Sequence, residues 1–129
     1  MKIFNPAGQM VLFFLLCSLS AFKANSQLDS LHGAINKSTG EQLLDAYTDL
    51  GEHYKFIDPD SAMHYFQKMS EHAKSFGQDE EVLASKIHIG IVHRIAGNLN
   101  KSLEILTNVH DEIDASKYPK MKAWCANNI

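Results

Sequence analysis

Beyond about residue 40, apolar residues return every three or four positions, which predicts a series of amphipathic helices. Asp45 and Asp49 lie outside the first apolar stripe, on the polar side of the predicted helix. After it, Asp58-Pro59-Asp60 places a side-chain acceptor at an N-cap and a proline at the first helical position, so a second helix is predicted to begin there. The apolar positions of this helix pair are Leu44, Tyr47, Leu50, Gly51, Tyr54, Ala62, Phe66, Met69 and Ala73.

Further signals mark the other helix ends. Ser38, with Glu41 three residues later, predicts a capping box for the first helix. Gly77 predicts a left-handed end to the second helix. Acidic residues come next, and they favour the positive N-terminal end of a third helix, predicted over about 78–96. A fourth helix is predicted over about 99–113.

The same pattern returns after 39 or 40 residues. A glycine inside a helix costs about 1 kcal/mol relative to alanine, so its return at one phase predicts that paired helices approach closely there. At a shift of 39, Leu44 matches Leu83, Leu50-Gly51 matches Ile89-Gly90, and Tyr54 matches His93. At a shift of 40, Ala62, Phe66 and Met69 match Ser102, Leu106 and Val109. The residues predicted to pack the repeats are Leu50, Gly51, Tyr54, Ala62, Phe66, Ile89, Gly90, Ser102 and Leu106.

These residues resemble the tetratricopeptide repeat (TPR), whose first helix carries a Leu-Gly and an aromatic residue and whose second carries an Ala and an aromatic residue. The resemblance implies an all-α fold of antiparallel helix pairs, stacked as a TPR-like α-solenoid of about two and a half repeats. The repeats would span 44–82, 83–122 and, in part, 123–129, after a lead-in helix and linker over 27–43. Lys86 departs from the pattern, since the family prefers an aromatic residue or Leu there.

The first 26 residues predict a cleaved signal peptide. Met10 to Phe22 is an uncharged apolar run, and Ala24-Asn25-Ser26 offers a cleavage site after Ser26. The alternative is an uncleaved N-terminal anchor, although the run would cover only about 20 Å of a hydrocarbon core that is roughly 30 Å thick. A lipoprotein is disfavoured, because Leu16 precedes Cys17. The predicted location is therefore exported and periplasmic.

Charge and cysteine content narrow the class of the remaining chain. After residue 26 there are 10 basic and 15 acidic residues, a net charge of −5. This balance argues against nucleic-acid binding, which needs a basic stripe, and against a polybasic membrane-surface segment. We therefore expect the mature part not to insert into a membrane. Cys125 is its only cysteine, so an internal disulfide cannot form.

The seven histidines do not form a metal-binding pattern. His88 and His93 are about 140° apart around a helix, and His64 and His72 are about 12 Å apart along one. There is no Gly-rich phosphate loop, no nucleophile elbow and no His-Glu-x-x-His motif. The sequence therefore predicts no metal, no cofactor and no enzymatic activity within these residues.

The resemblance implies a binding surface. In TPR proteins the first helix of each pair lines a concave groove that holds an extended peptide or a partner helix. The polar positions that would face such a groove are Asp45, Thr48, Glu52, Lys55 and Arg94.

No clamp for a peptide carboxylate is predicted. Thr48/Glu52 and Ile87/Ile91 stand where such a clamp would have Lys and Asn. For both isoleucines, and for Trp124, packing against neighbouring helices is favoured over ligand contact.

The signal peptide, the Asp-Pro-Asp turn and the 40-residue period are most similar to exported sensor regions of bacterial two-component histidine kinases. This resemblance implies a protein-interaction module that forms the input part of a membrane-anchored signalling protein, with any kinase beyond Ile129. The alternative is a stand-alone exported scaffold or assembly factor. A transmembrane helix and an output region downstream would support signalling, whereas more repeats and a stop would contradict it.

A stability prediction follows from the repeat number, because solenoids usually need at least about three repeats. The half-repeat from about residue 121 would leave Ala123, Trp124, Ala126 and Ile129 without a partner helix. We therefore expect a marginally stable or self-associating chain in thermal unfolding and sedimentation measurements. A sharp unfolding transition of a monomer at high temperature would contradict this expectation.

Overall fold

A computed structural model describes residues 28–129, and this part of the chain contains six helices and no strands. The predicted signal peptide over 1–26 lies outside the described residues. Within 28–129, no helix has the length and apolar character needed to cross a membrane. The helices are α1 (28–37), α2 (Glu41–Tyr54), α3 (Pro59–Ser75), α4 (Asp79–Ile95), α5 (Leu99–Glu112) and α6 (Pro119–Ala126).

From α2 onward, each helix packs mainly against the next one along the chain. The pairs α2/α3 and α4/α5 form two stacked units, and α6 follows as a shorter helix against α5. The prediction of an all-α, TPR-like solenoid is confirmed.

The starts of α3 and α2 illustrate one correct prediction and one wrong one. Asp58 caps α3, because its carboxylate accepts hydrogen bonds from the Ser61 amide at 3.4 Å and the Ser61 hydroxyl at 2.6 Å. The capping box at Ser38 and Glu41 is wrong. Glu41 is the first helical residue, and the N-cap is Gly40, at φ 60° and with no side chain to form a cap. Ser38 therefore lies too far upstream to reach the first free amides of α2.

The helix end predicted at Gly77 is confirmed. Gly77 has φ 68°; its amide donates to the Lys74 carbonyl at 3.2 Å and the next amide donates to the Ala73 carbonyl at 3.0 Å. The same pair of bonds closes α4 around Gly97, at φ 81°. Both glycines adopt the left-handed conformation that satisfies the last carbonyls of a helix and turns the chain back.

The buried side chains form two clusters, and α4 belongs to both. Val92 lies in one, while Leu83 and Ile87 lie in the other. Because α4 is apolar on two faces, it forms a wall between the two repeats. The first core consists of Leu44, Ala62, Phe66, Met69, Ala73 and Val92, and the second core consists of Leu83, Ile87, Leu106, Val109, Ile113, Met121 and Cys125.

The two repeat glycines lie where paired helices touch. A β-carbon at Gly51 would lie 2.5 Å from the ring of Phe66, and one at Gly90 would lie 2.7 Å from the Leu106 side chain. These two contacts are equivalent positions of the repeat. The predicted close approach is confirmed, since no larger residue fits without displacing a buried neighbour.

The other predicted packing residues differ in how deeply they lie. Leu50 and Ala62 are fully buried, and Ser102 is nearly so. Ile89, the equivalent of Leu50, is half-buried against the first core. Tyr54 stacks on Tyr65 with ring centroids 5.7 Å apart.

Lys86, the departure from the TPR pattern, has a partner in the paired helix. Its ammonium donates to the Glu112 carboxylate at 2.6 and 2.7 Å. The equivalent positions of the first repeat are Tyr47 and His72, whose rings meet edge to face at 6.4 Å. The same contact is thus aromatic in one repeat and ionic in the next.

Alanine substitutions at three glycines test the close approach. We expect Gly51→Ala to lower the free energy of unfolding by about 1–2 kcal/mol, because overpacking outweighs the roughly 1 kcal/mol gain in helix propensity. Gly90→Ala should also destabilise, because the added carbon would lie 2.7 Å from the Leu106 side chain. Gly33→Ala in α1 is the control, since nothing lies within 4 Å of its added carbon, and it should stabilise or be neutral. Urea unfolding measures all three, and equal effects would contradict the prediction.

Candidate functional site

A concavity of about 440 Å³ lies on the first helices of the repeats, α2, α4 and α6. It includes residues directly after α2 and α6. Hereafter "the groove" means the surface lined by Glu52, Lys55, Phe56, His88, Ile91, Arg94, Ile95, Trp124 and Asn128.

Helical spacing explains which side chains meet there. On α4, His88, Ile91 and Ile95 are three and four residues apart and so share one face. Glu52 in the last turn of α2 and Lys55 directly after this helix are three residues apart and form an ion pair. The packing of α4 between its neighbours therefore presents one stripe of its surface to the groove.

His88 forms the floor of the groove where four helices meet. Its ring stacks on Phe66 of α3 with centroids 4.4 Å apart and planes 7° apart. Trp124 of α6 meets the same ring at 5.0 Å and 67°. The His88 side chain is only 16% exposed, so it acts as a packing group as well as a polar one.

Glu52 joins His88 to the charged side of the groove. Its Oε1 lies 3.2 Å from His88 Nδ1, and its other oxygen accepts from Lys55. Burial lowers the pKa of His88 below its ordinary value; the Lys55 charge acts in the same direction, and Glu52 opposes both in part. The neutral form of His88 is therefore favoured, and its Nδ1 faces the Glu52 carboxylate.

Arg94 gives the groove a second cation. Its guanidinium donates to the side-chain oxygen of Asn128 at 3.0 Å and to the backbone oxygen of Asn128 at 3.3 Å. No carboxylate of residues 28–129 pairs with it. The lining residues include two cations, Lys55 and Arg94, and one carboxylate, Glu52. The groove is therefore locally positive, although the chain as a whole has a net charge of −3.

The structure brings three of the five predicted groove residues together. Glu52, Lys55 and Arg94 line the groove. Thr48 does not, because its hydroxyl donates to the Leu44 carbonyl at 2.9 Å and lies 3.4 Å from the Met69 sulfur. Asp45 is exposed elsewhere on α2, near Glu81, whose pKa is raised by partial burial first and by acidic neighbours including Asp45. A binding role for all five residues stays a prediction.

Among the remaining groove residues, outward spacing on α4 identified Ile91, whereas the others were not predicted to line the groove; these are Phe56, His88, Ile95, Trp124 and Asn128. Phe56 lies in the turn after α2 and is 73% exposed. Packing was predicted for Ile87, Ile91 and Trp124, and it is confirmed: Ile87 is fully buried, and the other two pack half-buried against the second core. Ile91 also lines the groove, as its outward position on α4 indicates, and Trp124 lines it from α6, which no local spacing revealed.

The described residues offer little for metal or covalent chemistry. Within 28–129, no three His, Cys, Asp or Glu side chains come together as a metal site would require. Cys125 is a free thiol that is fully buried; its Sγ donates to the Leu106 carbonyl at 3.3 Å. Burial raises the pKa of Cys125, which disfavours the reactive thiolate.

The family model described as "SusR N-terminal TPR domain" matches residues 22–121. The chain belongs to this family. The match spans α1 to α5 and the start of α6, so the TPR resemblance is confirmed. No curated protein and no solved structure matches the chain. TPR domains typically bind protein partners and are typically non-catalytic, which fits a binding groove better than an active site.

Proposed function

We propose that this TPR domain binds a partner protein by holding an extended segment or a helix of that partner in the groove. The observation that carries the proposal is the grouping of Phe56, Arg94 and Trp124 in one concavity on the first helices of the repeats. Tryptophan and arginine are among the residue types that dominate binding energies at protein interfaces, and aromatic residues in general are enriched there.

The exposure of Phe56 supports a role in binding. Phe56 is 73% exposed although the neighbouring floor, at His88 and Phe66, is closely packed. A large aromatic side chain beside a packed concavity can bury most of its surface against a partner with little rearrangement of the domain. Where such a residue is a hot spot of the interface, its truncation costs more than about 1 kcal/mol.

We further propose that the domain is the exported input part of a membrane-anchored signalling protein. Two observations support this: the signal peptide predicted over 1–26, and a family description that assigns such domains to the N-terminal part of SusR. Because α4 contributes to both cores, a partner that moves α4 would change the packing of both repeats. Binding would thereby alter the shape of the whole domain.

Binding through the groove is tested with peptides selected from a random display library on the intact protein. We expect Phe56→Ala to weaken their binding at least about fivefold, the equivalent of about 1 kcal/mol. Phe76→Ala is a matched control, because Phe76 is also an exposed phenylalanine just past a helix end, at 61% exposure, and lies outside the groove. Equal losses for the two variants, measured by fluorescence anisotropy, would argue against the groove.

Export is tested with a reporter that is active only outside the cytoplasm. Alkaline phosphatase fused after Ile129 should be active, and deletion of residues 1–26 should abolish this activity. Mass spectrometry of the exported chain should find Gln27 at its N-terminus. An active fusion that retains residues 1–26 would instead indicate an uncleaved anchor, and an inactive fusion would contradict export.

A further inference from the structure

His88 connects a proton-binding group to the charge of the groove. Glu52 is shared between His88 Nδ1, at 3.2 Å, and the Lys55 ammonium. A neutral His88 leaves the charge of Glu52 to Lys55, whereas a protonated His88 places a second cation 3.2 Å from the same carboxylate. After protonation, Lys55 and His88 share the single negative charge of Glu52, so the net positive charge at this point of the groove increases.

The charged groups around His88 come from two helices. Glu52 and Lys55 approach from α2, and Arg94 lines the groove from the same helix as His88. From α3 and α6 the contacts are the rings of Phe66 and Trp124, which do not titrate in the relevant range. A proton on His88 thus increases the number of cations in the groove from two to three, while the number of carboxylates stays at one.

We propose that the groove selects a partner segment that carries acidic side chains, and that His88 increases this attraction as the pH falls. The inference rests on the proposed function and adds the charge of the partner and a means of regulation. Positive potential at the groove attracts carboxylates and repels basic segments, although the chain as a whole is acidic. By linkage, an acidic segment in the groove must in turn favour the protonated state of His88.

The direction of the pH effect follows from the burial of His88. Burial disfavours the charged imidazolium, so the pKa of His88 lies below its ordinary value of 6.5. Proton uptake, and with it the added positive charge, therefore occurs on the acidic side of pH 6.5. At neutral pH the attraction depends on Arg94 and on the part of the Lys55 charge that Glu52 leaves uncompensated.

Trp124 reports both parts of the proposal without a partner molecule. It is the only tryptophan of the chain, lines the groove, and lies 5.0 Å from the His88 ring. Quenching of its fluorescence by iodide, caesium and acrylamide, each normalised to N-acetyl-tryptophanamide, measures the local preference for an anion, a cation and a neutral molecule.

We expect iodide to quench Trp124 more effectively than caesium at pH 7.5. The iodide constant should rise about twofold as the pH falls through the His88 pKa, which NMR titration of the ring locates, because one charge is added several ångströms away, while the acrylamide constant stays unchanged. Arg94→Gln should reduce iodide quenching both above and below this pKa. Lys101→Gln, on α5 and outside the groove, is the matched control and should have no effect.

His88→Gln should abolish the pH-dependent rise in iodide quenching, whereas His64→Gln, at an exposed site on α3, should leave it intact. Titration of the His88 ring proton by NMR in the unaltered protein gives the same information if His88→Gln does not fold. A rise that persists in a folded His88→Gln variant, or a His88 pKa at or above 6.5, would overturn the proton-linked part. Stronger quenching by caesium than by iodide would overturn the selection of acidic segments.

These outcomes are independent of the peptide experiment that tests binding itself. Selected peptides whose binding depends on Phe56 but which are not enriched in acidic residues would leave the groove as a binding site and remove the charge proposal.

Discussion

The close approach of paired helices at Gly51 and Phe66, and at Gly90 and Leu106, is the constraint on which the rest of the molecule depends. At both places the helix backbone itself forms the surface against which a buried side chain packs. This contact places α3 against α2 and α5 against α4 at a distance that larger residues would not permit. The position of α4, and with it the shape of the groove, follows from these two contacts.

Phe66 extends this constraint to the candidate site. Its ring lies against the backbone at Gly51 and is also stacked on His88. The His88 ring in turn contacts Trp124. The residue that defines the repeat therefore also supports the floor of the groove. A shift of the Phe66 ring would therefore change both the packing of the first repeat and the shape of the groove.

The parts of the structure that could be predicted are those with a local physical signal. Asp58 and Pro59 mark the start of α3, Gly77 marks its end, and the repeated glycines indicate the close contacts, because each requires a particular residue type at one position. The start of α2 could not be predicted in this way. Gly40 has no side chain with which to form a cap, so an upstream serine gave a false signal.

The groove was predicted only in part, because its central contacts join residues that are far apart in the chain. Glu52 and Trp124 each lie 36 residues from His88 and come from different helices. Periodicity gives the face of a single helix but not the residue that meets it from another. Thr48 illustrates the same difficulty, since its place on an outward face did not reveal that its hydroxyl returns to the Leu44 carbonyl.

The contact between Lys86 and Glu112 also distinguishes the two helix pairs. Its counterpart, Tyr47 with His72, uses ring packing at the same place, so both members of the contact differ between the repeats together. A tyrosine opposite Glu112 would leave a carboxylate without its cation, and a lysine opposite His72 would lose an aromatic neighbour. A pair in which only one of the two residues is exchanged would have neither the ion pair nor the ring contact. The two residues of each helix pair therefore match each other. An exchange of a single helix between the two pairs would therefore mismatch this contact.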